Sequence, residues 1–343
     1  MCSLKDCLQY SKLLKEPETQ NASLFFILNN ILFKMKTVVI TSIYPISQAT
    51  KKFALFEDWN LIIVGDKKTP HQEYIELSRK DNVFYLTPEY QEENYKELSD
   101  LLGWNNIERK NIGYLEAIKM GAEIIANMDD DNIPLDNWGK NLLVGKEVNV
   151  YYYETDETAF DPIGVTNHNN LWHRGFPLQL LKERQSKYKI TRKKIKVDVQ
   201  ADFWNGDPDI DAICRFEHSP MCFFDDKYFP LASNSFSPFN SQNTFFSREA
   251  MKKYLLIPGI GRMEDIWSSY YLESLGFNVV YNKASVFQDR NIQNYTKNMK
   301  DEFIGYEKTI DLLNDLKEDS ENIYKYLPER GREVMKKYIN YFN

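Results

Sequence analysis

Short apolar runs rich in β-branched residues recur in the first part of the chain, at residues 37–42, 61–65 and 83–86. Continuous runs of this length are typical of strands that are covered on both faces of a sheet. The segments between them have room for helices. Strands that alternate with helices at this spacing predict a parallel, doubly wound α/β sheet.

A fourth predicted strand leads directly into an acidic triplet. Residues 111–121 place apolar side chains at helical spacing and end in a glycine, which predicts a helix. The apolar run 123–128 follows, and it ends at Asp129, Asp130 and Asp131. Ligands bind at the carboxyl ends of the strands in an open α/β sheet, so we expect the triplet to lie at a binding edge.

The pattern changes in the second part of the chain. From residue 148 to about 288, short strands, many aromatic residues and loops marked by proline replace the regular alternation. This pattern predicts a mixed half that packs on the same sheet. Helical spacing returns after residue 298.

Composition and charge exclude some partners. The 343 residues are 43% hydrophobic, as in a globular protein, and the formal net charge is -7. A negative protein is a poor partner for a polyanion, so we expect no binding to nucleic acid. Residues 182–196 are locally rich in Lys and Arg. We expect this basic segment to be solvated and mobile, and the alternative is contact with phosphate or an acidic acceptor.

Neither the cysteines nor the apolar segments indicate secretion or a membrane. Cys2, Cys7, Cys214 and Cys222 show no metal-binding spacing, which favours a reducing compartment. The apolar run 24–33 is interrupted by asparagines and has about half the length of a membrane span. We therefore expect a cytoplasmic protein with no integral membrane segment.

The acidic triplet is the strongest chemical signal. Adjacent carboxylates repel one another, and a divalent cation offsets that repulsion. Asp129 and Asp131 supply the hard oxygen ligands that Mg²⁺ or Mn²⁺ prefers. A cation held there can bridge to a diphosphate and stabilise the charge on a leaving group. The alternative is a solvated turn, where an Asp-x-Asp string is common.

Three further regions are candidates for the site. Glu264 and Asp265 precede Trp267 at the predicted start of a helix. Asp265 is a candidate general base for an acceptor hydroxyl group, and the alternative is that both acids only complement the helix terminus. The segment 206–211 resembles a second acidic site, and the alternative is an ordinary turn, which also uses Asp and Pro. The polar, aromatic segment 236–243 suits binding of sugar hydroxyl groups, and the alternative is a polar loop over the core.

Taken together, these segments resemble a known family. The matching segments occur in the same order and lie at residues 110–114, 129–131, 172–178, 206–211, 237–244, 265–267 and 286–291. They resemble the STELLO-type glycosyltransferase-like proteins. They are more distantly similar to the reversibly glycosylated polypeptides, which include the UDP-arabinopyranose mutases.

The resemblance implies a GT-A-like fold, doubly wound and mostly parallel, with a UDP-sugar as donor and Mn²⁺ or Mg²⁺ held by the triplet. It makes Asp265, with Glu264 beside it, the candidate base. Arg174 lies in an Arg-Gly-Phe-Pro segment that is similar to the motif in which the mutases carry a glycosylated arginine. Many GT-A enzymes bring a late histidine to the metal, whereas Gln288 or Asp289 would have to replace it here.

The predicted donor-binding residues are Thr41, Ser42, Asp66, Arg109, Asn111 and Asp130. We expect the first three near the nucleoside and Arg109 or Asn111 near the phosphates. The predicted reaction is metal-dependent, inverting sugar transfer to a glycan, protein or small molecule that the sequence does not identify. The alternatives are a nucleotide-sugar mutase that glycosylates itself, a non-catalytic scaffold and a metal-dependent nucleotidyltransferase. An oligomer is possible.

The expected organisation has three parts. An N-terminal extension, helical or poorly ordered, covers 1–34, the GT-A-like domain covers 35–298, and a helical tail covers 299–343. Within the domain we expect a nucleotide-binding half at 35–147 and an acceptor half at 148–298.

Overall fold

The computed structural model describes residues 36–184, 188–290 and 293–342. The predicted extension at 1–34 therefore lies outside the described residues. The strands are β1 (Lys36–Ser42), β2 (Asn60–Gly65), β3 (Val83–Leu86), β4 (Ile124–Met128), β5 (Asn132–Pro134), β6 (Glu147–Glu154), β7 (Lys189–Lys196), β8 (Val199–Gly206), β9 (Leu231–Ser233), β10 (Asn243–Ser247) and β11 (Val279–Gln288).

The helices follow the same chain order. The α-helices are α1 (Gln48–Phe53), α2 (His71–Leu77), α3 (Pro88–Asn94), α4 (Lys96–Leu102), α5 (Lys110–Lys119), α6 (Ala212–His218), α7 (Arg248–Met251), α8 (Ile266–Ser274), α9 (Tyr295–Glu318) and α10 (Glu329–Asn340). Short 3-10 helices span Ile107–Arg109, Leu178–Leu180, Asp226–Tyr228, Gly261–Met263 and Ser320–Lys325.

One sheet contains these strands, in the order β3-β2-β1-β4-β10-β8-β11-β9-β6-β7, with β5 paired to β11. The strands β1 to β4 are parallel to one another. Strand β10 is antiparallel to both of its neighbours, and beyond it parallel and antiparallel pairs alternate. The predicted α/β fold class, doubly wound with a mixed second half, is confirmed.

The close packing of α5 on the sheet prepares the site. Gly113 lies so near the sheet that a Cβ atom there would be 2.5 Å from Val39 Cγ1 and 2.7 Å from Val64 Cγ2. A helix that connects parallel strands runs opposite to them, so its first turn lies at their carboxyl ends. The first turn of α5 therefore lies beside the end of β4, where the acidic triplet begins.

The basic segment forms an edge strand. Residues 189–196 are β7, which pairs with β6 along its whole length. Lys194 lies 2.8 Å from Glu147 across the two strands, and the Arg192 guanidinium stacks 3.4 Å from the Tyr151 ring centre. The prediction of a mobile segment is wrong for these residues, because cross-strand pairing orders them. Their exposed charges also suit an edge strand, since charge discourages pairing with another chain.

The C-terminal helices pack against the segment that carries Glu264 and Asp265. Glu302 of α9 accepts a hydrogen bond from Arg262 Nε at 2.8 Å. Thr309 of the same helix accepts one from Trp267 Nε1 at 3.0 Å. Helix α9 therefore helps to fix the position of the second acidic region.

Candidate active site

The triplet lies where the carboxyl ends of several strands meet. It follows β4, while Ser42 ends β1 and Asp66 follows β2. The end of β11 reaches the same place, because Asp289 N donates to Asp131 O at 3.2 Å. The topology thus brings together residues that are far apart in the sequence.

Lys110 neutralises the first acid of the triplet. Its Nζ atom lies 2.5 Å from Asp129 Oδ1 and 3.1 Å from Asn127 Oδ1. The lysine side chain is only 1% exposed. Sequence reasoning assigned no role to Lys110, although it lies between the two residues that were proposed for the phosphates.

The negative charge of Asp131 is less well compensated than that of Asp129. Its Oδ1 atom is buried and has no hydrogen-bond partner among the described residues. Burial and the charge of Asp129 raise the pKa of Asp131 to about 7, and Arg290 opposes that shift. Burial also raises the pKa of Asp130, against a hydrogen bond with Ser42.

Gln288 provides unpaired polar atoms next to the triplet. It is 1% exposed, and neither its Oε1 nor its Nε2 atom has a partner in the part of the chain that the structure describes. In the β5–β11 ladder it pairs with Asn132, the residue that follows the triplet. A carboxylate oxygen and an amide oxygen that both lack partners fit the ligand preference of Mg²⁺ or Mn²⁺. No group of three or more His, Cys, Asp or Glu side chains in the described ranges is arranged to hold a metal.

The side chains of the predicted phosphate-binding residues make hydrogen bonds within the protein. Arg109 is fully buried, donates to Gln91 and Ser99, and stacks 3.7 Å from the Trp104 ring centre. Asn111 exchanges two hydrogen bonds of 2.8 Å with the backbone of Leu256. The structure therefore uses both side chains to hold loops rather than directing them toward the triplet.

The predicted nucleoside-binding residues lie at the ends of β1 and β2. The Asp66 carboxylate accepts hydrogen bonds from Asn105 N at 2.7 Å and Asn106 N at 3.2 Å, and the residue is fully buried. Thr41 Oγ1 donates to the Val64 carbonyl at 2.7 Å. Ser42 is the member of this set that reaches the triplet, through Asp130.

A second cluster joins Arg174 to two carboxylates. Arg174 Nε lies 3.0 Å from each Asp209 oxygen, and its two terminal nitrogens each donate to one Asp265 oxygen at 2.9 Å. Asn240 Nδ2 donates a further hydrogen bond to Asp209 at 2.9 Å, and Ser241 N donates one to Asp265 at 3.0 Å. We call Asp209 and Asp265 the arginine-bound pair.

The charges of this cluster stabilise one another. Burial alone would lower the pKa of Arg174, but Asp209 and Asp265 raise it well above its usual value. Burial alone would also favour neutral Asp265, but Arg174 keeps its pKa below the usual value. Asp265 stands at the start of α8, but its side chain makes no capping hydrogen bond there and binds Arg174 instead.

A glycine lets Arg174 reach these partners. Gly175 has a φ of +84°, and a Cβ atom there would be 2.2 Å from Ile266 Cγ2. Any other residue would therefore clash with the first turn of α8 in addition to adopting a strained backbone. The glycine of the Arg-Gly-Phe-Pro segment keeps Arg174 against Asp265.

Glu264 differs from its neighbour Asp265. Its Oε2 atom is buried without a hydrogen-bond partner within the described ranges. Burial and the charge of Asp265 raise the pKa of Glu264 to about 8. The buried hydroxyl group of Tyr254 also has no hydrogen-bond partner among the described residues. Burial raises its pKa, and the charges of Asp265, Glu264 and Asp129 raise it further.

A large cavity lies elsewhere. It has a volume of about 790 Å³ and is lined by residues of β6, β7 and β9 and by the end of α8. Asp129, Asp131, Arg174 and Asp265 are not among its lining residues.

Among the described residues, we find no helix whose length and apolar character would let it cross a membrane.

Comparison with known proteins supports the resemblance. The chain is 27% identical to "Probable glycosyltransferase STELLO1" of Arabidopsis thaliana over 268 residues, which is 71% of this chain and 34% of that protein. It is 26% identical to "Probable glycosyltransferase STELLO2" of the same plant over 277 residues, or 72% of this chain and 35% of that protein. The chain thus spans about a third of the length of these relatives, and the predicted similarity to STELLO proteins is confirmed.

More distant comparisons add little. No family model matches the chain. The Mycobacterium tuberculosis glucosyl-3-phosphoglycerate synthase has 12% identity and a TM-score of 0.39, with 82% of this chain and 80% of that chain covered. A second mycobacterial structure has 12% identity and a TM-score of 0.41, with 82% and 74% covered.

Proposed function

We propose that this chain catalyses metal-dependent transfer of a sugar from a nucleotide-diphosphate sugar to an acceptor hydroxyl group. The observation that carries the proposal is that Asp131 and Glu264 each keep a buried carboxyl oxygen without a hydrogen-bond partner among the described residues. We call these two residues the unpaired carboxyl groups. The similarity to proteins named probable glycosyltransferases supports sugar transfer as the reaction class.

Asp131 and Gln288 are the residues that would hold the metal. Asp129 is engaged by Lys110 and would have to share its carboxylate. A bound Mn²⁺ or Mg²⁺ would offset negative charge on the diphosphate. UDP as the nucleotide and inversion as the stereochemical outcome rest on the family resemblance.

We assign the general-base role to Glu264. Its ionised carboxylate takes the proton of the acceptor hydroxyl group as the acceptor oxygen bonds to the anomeric carbon. The bond from that carbon to the diphosphate breaks, and the nucleoside diphosphate leaves with the electron pair. A carboxyl group with a pKa of about 8 is a stronger base than an ordinary one, and its ionised form, which acts as the base, becomes more populated as the pH rises toward that value.

Asp265, the base that the sequence predicted, becomes a positioning residue in this proposal. Both of its oxygens bind Arg174, and its lowered pKa makes it a weak base. Arg174 itself is engaged at each of its three nitrogens by Asp209, Asp265 and the Arg262 carbonyl. The mutase alternative, with a sugar attached to Arg174, would have to break these contacts.

Two variants separate binding from chemistry. Asp131→Asn should lose most of the Mn²⁺-dependent part of UDP affinity, because it removes a carboxylate ligand. Glu264→Gln should keep UDP affinity while sugar transfer falls roughly 10²- to 10⁴-fold, because the base is lost. Calorimetry with UDP and Mn²⁺ measures the first effect, and product formation from UDP-sugars measures the second.

Asp136→Asn is the matched control, since Asp136 follows the triplet closely and is exposed. It should leave binding and transfer unchanged. Equal loss of UDP binding in the Asp131 and Glu264 variants would contradict the assigned roles.

A further inference from the structure

Arg290 is a buried cation with unused donors. It follows β11, and its side chain is only 6% exposed. Its Nε and Nη2 atoms have no hydrogen-bond partner anywhere in the described part of the chain. A buried charged donor without an acceptor is costly, so this arrangement requires an explanation.

Other buried arginines of the chain use their donors inside the protein. Arg184 donates to Asp161 Oδ2 at 3.1 Å and to the Asn169 carbonyl at 2.8 Å. Arg215 binds Asp207 Oδ1 at 2.5 Å and also donates to the Pro208 carbonyl. Arg184 and Arg215 therefore each use both terminal nitrogens in hydrogen bonds within the protein, and Arg290 differs from them.

The carboxylates nearest to Arg290 are already occupied. Arg290 Nη2 lies 3.6 Å from Asp209 Oδ1, and Nε lies 3.8 Å from Asp207 Oδ1, too far for hydrogen bonds. Asp209 accepts instead from Arg174, and Asp207 accepts from Arg215. The two carboxylates offset the charge of Arg290 without using its donors.

The position of Arg290 indicates what the donors bind. The backbone places Arg290 beside the triplet, because the preceding residue, Asp289, donates its N–H to Asp131 O at 3.2 Å. The two side chains also influence each other's pKa. An anion that binds a metal at Asp131 would therefore lie within reach of the guanidinium. The planar fork of donors matches phosphate oxygens well.

We propose that Arg290 binds the terminal phosphate of the nucleoside diphosphate. This inference rests on the proposed function, because it places the donor diphosphate at the triplet. Arg290 then stabilises the charge that the diphosphate gains when the bond to the sugar breaks.

The test compares UDP with UMP, which lacks the terminal phosphate, by calorimetry in Mn²⁺. Arg290→Gln should weaken UDP binding roughly 10- to 100-fold, as expected for loss of charged hydrogen bonds, and should leave UMP binding unchanged. Arg290→Lys should fall between wild type and Arg290→Gln, since it keeps the charge and loses the fork. Arg248→Gln is the control, because Arg248 binds the Ala122 carbonyl at the opposite end of β4 and should not affect either ligand.

The outcomes separate this inference from the proposed function. If wild type binds UDP and Arg290→Gln binds it equally well, the role of Arg290 is overturned while the proposed function stands. If Arg290→Gln weakens UMP as much as UDP, the assignment to the terminal phosphate is overturned. If wild type binds neither nucleotide, both proposals fail.

Discussion

Two sets of buried carboxyl groups differ in how their charge is compensated. In the arginine-bound pair, Asp209 and Asp265, every oxygen accepts a hydrogen bond, mainly from Arg174. The unpaired carboxyl groups, Asp131 and Glu264, each keep one buried oxygen without a partner in the residues described. The first set holds its pKa values low, and the second set has them raised.

This difference indicates that the two sets of carboxyl groups have different roles. A buried carboxylate costs several kcal/mol unless it is paired and hydrogen-bonded. The arginine-bound pair meets that requirement inside the protein and therefore fixes the architecture around α8. The unpaired carboxyl groups do not meet it, so they are the groups that a ligand, metal or transferred proton can complete. Changes in the first set should affect stability, and changes in the second should affect binding and turnover.

The largest expected effect on stability comes from breaking the arginine-bound pair. Arg174→Met leaves Asp209 and Asp265 buried without their cation, and we expect a loss of about 3–5 kcal/mol in the free energy of unfolding. Urea denaturation measures it. Asp131→Asn under the same conditions should cause no loss, because it removes a charge that lacks a partner. An equal loss in both variants would remove the distinction between the two sets.

A smaller effect, which depends on pH, should come from Glu264. An ordinary glutamate ionises near 4.5, whereas the pKa of folded Glu264 is about 8. Between these values the folded protein binds one more proton than the unfolded chain, so this group makes the protein less stable as pH rises. Glu264→Gln lacks this contribution.

The stability of Glu264→Gln relative to wild type should therefore increase by about 1.4 kcal/mol per pH unit across that window. Urea denaturation at pH 5.5, 6.5 and 7.5 measures the slope. Glu302→Gln is a suitable comparison, because Glu302 is buried and fully hydrogen-bonded to Arg262, Tyr306 and Ala212 N. A constant difference between wild type and Glu264→Gln across these pH values would contradict the raised pKa.

The smallest effect is expected at the surface. Lys194 pairs with Glu147 across β6 and β7, and both side chains are 62% exposed. Lys194→Met should leave the unfolding midpoint unchanged within error, because solvent screens such pairs. A loss comparable to that of Arg174→Met would mean that exposure does not separate the two kinds of ion pair.

The sequence predicted much of this fold because its signals are local. The apolar runs 37–42, 61–65 and 83–86 match β1, β2 and β3 closely, and the helix expected at 111–121 is α5 at 110–119. Burial on both faces of a parallel sheet leaves continuous apolar runs, which can be found without a structure. The basic segment was harder to predict, because its pairing partner is β6, which ends more than thirty residues earlier.

Neighbouring residues at the start of α5 differ in their contacts near the site. Arg109 and Asn111 were predicted near the phosphates, but Lys110 contacts the triplet. Successive residues on a helix point about 100° apart, so only one of three neighbours can face a given ligand. Which residue faces it depends on the rotation of α5, and packing at Gly113 sets that rotation.

The sequence by itself determined the α/β framework, the acidic triplet at the end of a strand and the set of segments that belong to the site. Only the tertiary structure decided which charged groups are paired. Asp265 and Glu264 are adjacent in the chain, yet one binds Arg174 and the other keeps an unpaired oxygen. The reason is physical: the state of a buried charge depends on the few ångströms around it, and those surroundings come from residues that are distant in sequence.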